Sequence, residues 1–151
     1  MQGTIVRKAE LDDVFDVLVL CNAFCKESPR QYGKFNNKKT QANLEGAISS
    51  DNTEIFVLEK DGEIVGMLAG LITAHLFSDV TMATELAMFI TKEHRGGMAF
   101  ARLIKAYEQW AKDMGVNLAY LCDMEGVQNL EKAYNRFGFY KLETAYCKEI
   151  N

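Results

Sequence analysis

The stretch Ile90-Thr91-Lys92-Glu93-His94-Arg95-Gly96-Gly97-Met98-Ala99-Phe100 holds the residues best suited to chemistry. A glycine pair feeding a helix leaves backbone N–H groups pointing outward with little side chain in the way. Those donors and the helix dipole suit a diphosphate, and Arg95 adds a cation beside them. The same residues also read as a plain tight turn. Just upstream, Glu85 is the only acid in the mostly apolar run from Met82 to Ile90. An acid there either points to solvent or lines a site. In strict alternation it shares a face with Ala87 and Phe89, and a bulge would change that.

Other reactive side chains form no pattern. Cys21, Cys25, Cys122 and Cys147 include no CxxC pair and read as reduced, buried thiols of a cytosolic core. His75 and His94 lie far from those thiols in sequence, so no zinc ligand set emerges. No local signature supports a thiol nucleophile.

The elements that must position these groups follow from apolar spacing. Thr4 to Lys8 reads as a strand. Leu11, Val14, Phe15, Val17, Leu18, Cys21 and Cys25 recur at helical spacing, with Asp12 and Asp13 in the first turn, where the helix dipole favours them. Ser28-Pro29 stops that helix. Residues 29–39 form a polar, basic loop, a solvated segment or a lid on the substrate side. A weak helix follows near Thr40 to Ser49. Glu54 to Glu59 reads as a strand, Asp61-Gly62 as a hairpin turn, Glu63 to Phe77 and Thr81 to Ile90 as two more strands. Ala99, Leu103, Ile104, Tyr107, Trp110, Ala111 and Met114 make the best helical stripe, capped by Gly115. Asn117 to Cys122 is a short strand. Val127, Leu130, Ala133, Tyr134 and Phe137 form a last helix closed by Gly138. Phe139 to Ile150 reads as a final strand. The order is βααβββαβαβ.

With 151 residues the chain suits one domain, and 48% hydrophobic residues exclude a disordered polymer. The net charge of −4 argues against a general nucleic-acid binder. The longest apolar stretch, Ile64 to Ile72, falls well short of the ~20 residues of a membrane span. The first residues show no apolar signal segment, so a cytoplasmic protein is expected.

This order and this junction resemble the GNAT superfamily of acyl-CoA-dependent N-acyltransferases. The family's motif is Arg or Gln, two residues, Gly, one residue, then Gly or Ala, and it wraps the pyrophosphate of CoA. Arg95, Gly96, Gly97, Met98, Ala99 and Phe100 occupy the matching positions. Met98 and Phe100 stand where the family has small residues, which makes close approach to phosphate harder. Tyr134, Gly138 and Phe139 match the family's Tyr-x-x-x-Gly-Phe segment. Ile5 to Val14 reads like its first strand and helix. The compact size and the Glu108-Gln109-Trp110-Ala111 helix are similar to small phage-encoded members.

The resemblance implies an α+β fold: a mixed, mostly antiparallel central sheet of six or so strands flanked by four helices, in a single domain over residues 1–151. It implies transfer of an acetyl group from acetyl-CoA to a primary amine of a small molecule or peptide by direct attack, with no metal. It implies a bulged fourth strand that splays from the fifth, with Met88, Phe89 and Ile90 against the pantetheine arm and acetyl carbonyl. Tyr134, a phenol with an unperturbed pKa near ~10, is then the general acid. Glu85 is the candidate general base. Neither membrane nor nucleic acid is an expected partner, and the final strand offers an edge for a homodimer. The alternative is a non-catalytic member that senses CoA or serves as an interaction module, favoured by Met98 and Phe100.

Overall fold

The computed structural model describes residues 3–28, 33–124, 126–127 and 129–151, in two units that divide between Leu121 and Cys122. The first unit is built on strands β1 (Thr4–Lys8), β2 (Thr53–Lys60), β3 (Glu63–Ala74), β4 (Thr81–Ile90) and β5 (Leu118–Tyr120). They lie side by side in chain order. The first four pair antiparallel and β5 runs parallel to β4. The predicted hairpin between β2 and β3 is present, with Asp61 at φ 52° and Gly62 at φ 87°, the paired positive φ values such a turn needs.

Both faces of this sheet are covered, which explains the unbroken apolar run in β2. Ile55 and Val57 face one core with Val17 and Leu20 of α1 (Val14–Glu27) and Leu44 of α2 (Asn37–Ile48). Phe56 and Leu58 face the other, with Leu103, Ile104, Tyr107 and Trp110 of α3 (Ala99–Asp113). The predicted stripe of α3 is thus its buried face. No described helix is long and apolar enough to cross a membrane.

Several boundaries differ from the sequence reading: β3 ends at Ala74 rather than at Phe77, and β5 spans Leu118–Tyr120 rather than Asn117 to Cys122. Asn36 accepts the Lys39 N–H at 2.9 Å and caps α2, so Lys38 and Lys39 belong to its first turn rather than to the predicted loop. Residues 29–32 of that loop lie outside the described residues. In the second unit, α4 (Glu131–Arg136) starts later than Val127. Asp123 takes the Leu130 N–H at 3.0 Å and Asn129 takes the Glu131 N–H at 3.3 Å, so side chains satisfy the donors ahead of the first turn. Residues 139–151 carry no strand, so the sheet has five strands among the described residues, and the edge expected for a second copy is not formed. Tyr140, Leu142, Tyr146 and Ile150 are exposed there. Their spacing is compatible with a strand, but a strand exists only where a ladder partner meets it.

A buried carboxylate locks the start of the first unit. Arg7 of β1 forks onto Asp13 with bonds of 2.7 and 2.9 Å and reaches Glu59 of β2 at 2.9 Å. Asp13 also accepts the Glu10 N–H at 2.7 Å. Asp13 therefore does more than complement a helix dipole. The Arg7 guanidinium holds its carboxyl below the usual carboxylate range. The ionised form is the one the fold favours, so this contribution is complete above about pH 4 and is lost as pH falls through the lowered value. Asp13→Asn should cost about 1–2 kcal/mol at pH 7 and nothing extra in acid, so that the two proteins converge below the carboxylate range. Urea unfolding across pH 7 to 2 measures this; a constant gap at every pH would leave Asp13 only a packing role.

Candidate functional site

The sheet is irregular at two places, between β2 and β3 near Leu58 and between β3 and β4, and the second concerns the site. Gly70 pairs with Glu85 and Ala69 with Ala87, so Leu86 is an extra residue and β4 bulges. Two backbone bonds report the consequence. His75 N–H donates to the Val80 carbonyl at 2.8 Å before the bulge, and Thr91 N–H donates to the Val65 carbonyl at 2.9 Å after it. Antiparallel strands aim alternate residues at their partner. Even-numbered residues thus face β3 before the bulge and odd-numbered ones after it. Ala87 and Phe89 spend their backbone groups on β3, while Met88 and Ile90 aim theirs the other way.

On that other side β5 pairs with Met82, Ala83 and Thr84 and goes no further. Among the described residues no strand flanks β4 from Glu85 to Ile90. The bulge implied by the resemblance is present, and β5 stops pairing with β4 where the resemblance implies a splay. The bulge also re-sorts side chains. Ala83, Met88 and Ile90 belong to the α3 core, Ala87 and Phe89 to the α1 core. Glu85 keeps the parity of Ala83 and stands opposite Gly70, on the α3 side. Strict alternation would put it with Ala87 and Phe89, and the bulge separates it from them.

The loop after β4 is held by Arg95. Its Nε donates to the Ile90 carbonyl at 2.7 Å, its Nη2 meets Glu27 at 2.5 Å, and its guanidinium lies 5.3 Å from the centre of the Phe89 ring. The Arg95 side chain thus ties the end of α1 to the end of β4. Glu27 was missed in the sequence. Its signal was an acid in the last turn of a helix, where the dipole disfavours negative charge unless a cation answers it.

Gly96 and Gly97 take φ values of +100° and +55°, which side chains rarely adopt. A Cβ at either would meet nothing within 4 Å, so open space surrounds both. Met98 follows as the N-terminal flank of α3, with no side chain capping the helix. The Ala99 N–H reaches back to the Gly96 carbonyl at 3.4 Å, and no side chain caps the start of the helix. Phe100 packs into the α3 core beside Ala99, so it does not fill the loop. Met98 is exposed and lines a cavity of about 270 Å³ with Lys60, Arg102, His94 and Gly96. An anionic, diphosphate-bearing ligand fits this donor set.

The remaining groups are placed elsewhere. His94 Nδ1 lies 2.8 Å from the Thr91 hydroxyl. His75 sits in the exposed turn after β3, where its Nδ1 accepts the Phe77 N–H at 3.1 Å. Cys25, Cys122 and Cys147 are exposed rather than buried, and no disulfide links the cysteines. Burial pushes the Cys21 thiol up to about 11. In the second unit, the Tyr134 hydroxyl donates to the Cys122 carbonyl at 2.6 Å, and its ring lies 6.1 Å from that of Phe139.

Comparison with known proteins adds to this geometry. The family model described as the acetyltransferase (GNAT) family matches residues 20–139. No curated protein matches the chain. Solved structures share the fold. A predicted acetyltransferase with acetyl-CoA from Clostridium acetobutylicum is 13% identical, over 98% of this chain and 96% of that one, with a TM-score of 0.79. AAC(6')-Iy in complex with the bisubstrate analogue CoA-S-monomethyl-acetylneamine is 14% identical, over 99% of each chain, at 0.81. Glucosamine-6-phosphate N-acetyltransferase from Arabidopsis thaliana is 16% identical, over 99% of this chain and 100% of that one, at 0.78. The matched stretch takes in the bulged strand, the glycine loop and Tyr134, and the chain belongs to the acetyltransferase (GNAT) family of acyl-CoA-dependent enzymes.

Proposed function

We propose that this chain transfers an acetyl group from acetyl-CoA to the primary amine of a small molecule or peptide by direct attack. The observation that carries this reading is the open edge of β4 leading straight into the Gly96–Gly97 loop. Backbone N–H groups of Met88 and Ile90 suit the pantetheine arm and the acetyl carbonyl, with one of them as donor to the oxygen that gains charge. Phe89 contributes its ring as a seat for Arg95, while its backbone stays in the ladder. The N–H groups of Gly96, Gly97 and Met98 suit the diphosphate. Arg95 serves by fixing that loop, since its side chain is engaged with Glu27 and Ile90.

An amine must lose its proton before it attacks, and the departing thiolate must gain one. We assign the first task to Glu85, half-buried beside the bulge. We assign the second to Tyr134, whose hydroxyl carries a hydrogen in its bond to the Cys122 carbonyl. The family match runs across the boundary between the two units, which supports one domain over residues 1–151. Cysteines without disulfides support a reducing, cytoplasmic setting. An amine acceptor is in keeping with neighbours named for glucosamine-6-phosphate and for an acetylneamine analogue.

Calorimetry with acetyl-CoA and thiol release on adding a panel of amines test the reading. Binding with thiol release is expected. Binding without release from any amine would make the chain a sensor, and no binding would remove the reading. Gly97→Ala forces a side chain into a left-handed position, at about 1–2 kcal/mol of stability. It should weaken acetyl-CoA binding about tenfold, equivalent to one lost charged hydrogen bond. Tyr134→Phe should lower kcat by about a hundredfold while sparing acetyl-CoA affinity. Equal loss of both would give Tyr134 a packing role. Glu85→Gln should remove the low-pH limb of the rate profile; an unchanged limb would exclude Glu85 as the base.

A further inference from the structure

Tyr107 is fully buried, yet its polar end is used for something other than packing. Its hydroxyl donates to the Tyr120 carbonyl at 2.8 Å. Tyr120 is the last residue of β5 and pairs with Thr84, the last β4 residue to have a partner on that side. The bond thus falls at the point where the sheet opens. The other end of the side chain is equally constrained. A Cβ on Gly70 would lie 2.9 Å from the Tyr107 ring and 2.7 Å from the Trp110 ring, so both rings occupy the space that a side chain on β3 would take. Gly70 stands opposite Glu85, next to the bulge. One side chain therefore spans from β3 to β5 beneath the residue pair at which β4 changes parity.

We propose that Tyr107 is a positioning residue that fixes where β5 leaves β4, and so sets the width of the cleft that receives the thioester arm of acetyl-CoA. This rests on the acetyl-transfer reading above. The physical reason is that β5 is short and, among the described residues, paired on one side only, with Ala119 and Leu121 packed on the α3 core. The strand is three residues long, and its ladder bonds all lie before the opening. A short strand held on one side frays at its free end. The buried hydroxyl supplies a bond at that end, and a partly buried carbonyl left without it would be costly. A phenylalanine would fill the same space above Gly70 and would pack as well, so the core alone does not call for tyrosine at this position.

Tyr107→Phe separates the two roles. The expected result is a KM for acetyl-CoA raised about five- to tenfold, with kcat changed less than twofold, and faster hydrogen exchange confined to residues 118–121. A fall in melting temperature with KM unchanged would overturn the proposal and leave Tyr107 a core residue. Hydrogen exchange of the wild-type chain provides a measurement that does not depend on the variant folding. Amides of residues 118–121 should be protected like those of β3 without ligand, and unprotected amides there would also overturn it. A wild-type chain that shows this protection but binds no acetyl-CoA would instead sink the acetyl-transfer reading, with the anchor itself intact.

Discussion

One extra residue in β4 governs the rest of the site. In a regular antiparallel ladder, alternate residues turn their backbone groups to one neighbour, and every side chain keeps its face. Leu86 breaks that rule once. Beyond it, the residues that face β3 change from even to odd numbers, and the α3 core receives Met88 and Ile90 in place of Ala87 and Phe89. Since β5 follows β4 only as far as Thr84, the redirected backbone of Met88 and Ile90 opens onto no strand among the described residues. A sheet edge inside a fold is usually a liability. Here it presents main-chain N–H donors, in a strand whose side chains remain free to build the two cores.

The glycine loop works by the same division of labour. Its donors are main-chain groups, which demand positive φ at Gly96 and Gly97 and an uncapped start to α3. A loop of that kind has little to hold it in place. Arg95 restrains it with bonds to Ile90 and Glu27 and a cation–π contact with Phe89, so the loop is tied to the end of the bulged strand and to α1. A residue that reads from sequence as a ligand's counter-ion is, in the fold, a strut. The charge of Arg95 still counts, but its geometry is spent on the protein.

Tyr107 and Gly70 extend this logic to the far wall of the opening. Gly70 is not required by its own backbone, which is ordinary strand. It is required by the aromatic rings of α3 that fill its side-chain space. Sequence patterning identified Tyr107 and Trp110 as members of a helical stripe and stopped there. Helical spacing says which face is buried and is silent about where a buried hydroxyl ends.

Much was legible in advance. The mostly apolar run from Thr81 to Ile90 gave that strand to the residue, the Asp61-Gly62 pair gave the hairpin, and the glycine pair before a 3.6-residue stripe gave the loop and α3. These are signals of local geometry, carried by backbone preference and by period. The side of the sheet on which Glu85 stands was not legible, because a bulge shifts parity without leaving a mark in composition. Nor was the absence of a strand after Phe139, since strand-compatible residues do not choose their partner. Period, turns and the family motifs lie within short windows of the chain and were therefore fixed by it alone. Register, the Arg95–Glu27 tie and the Tyr107–Tyr120 bond join residues far apart in sequence, and only folding decides which of many possible partners each one meets.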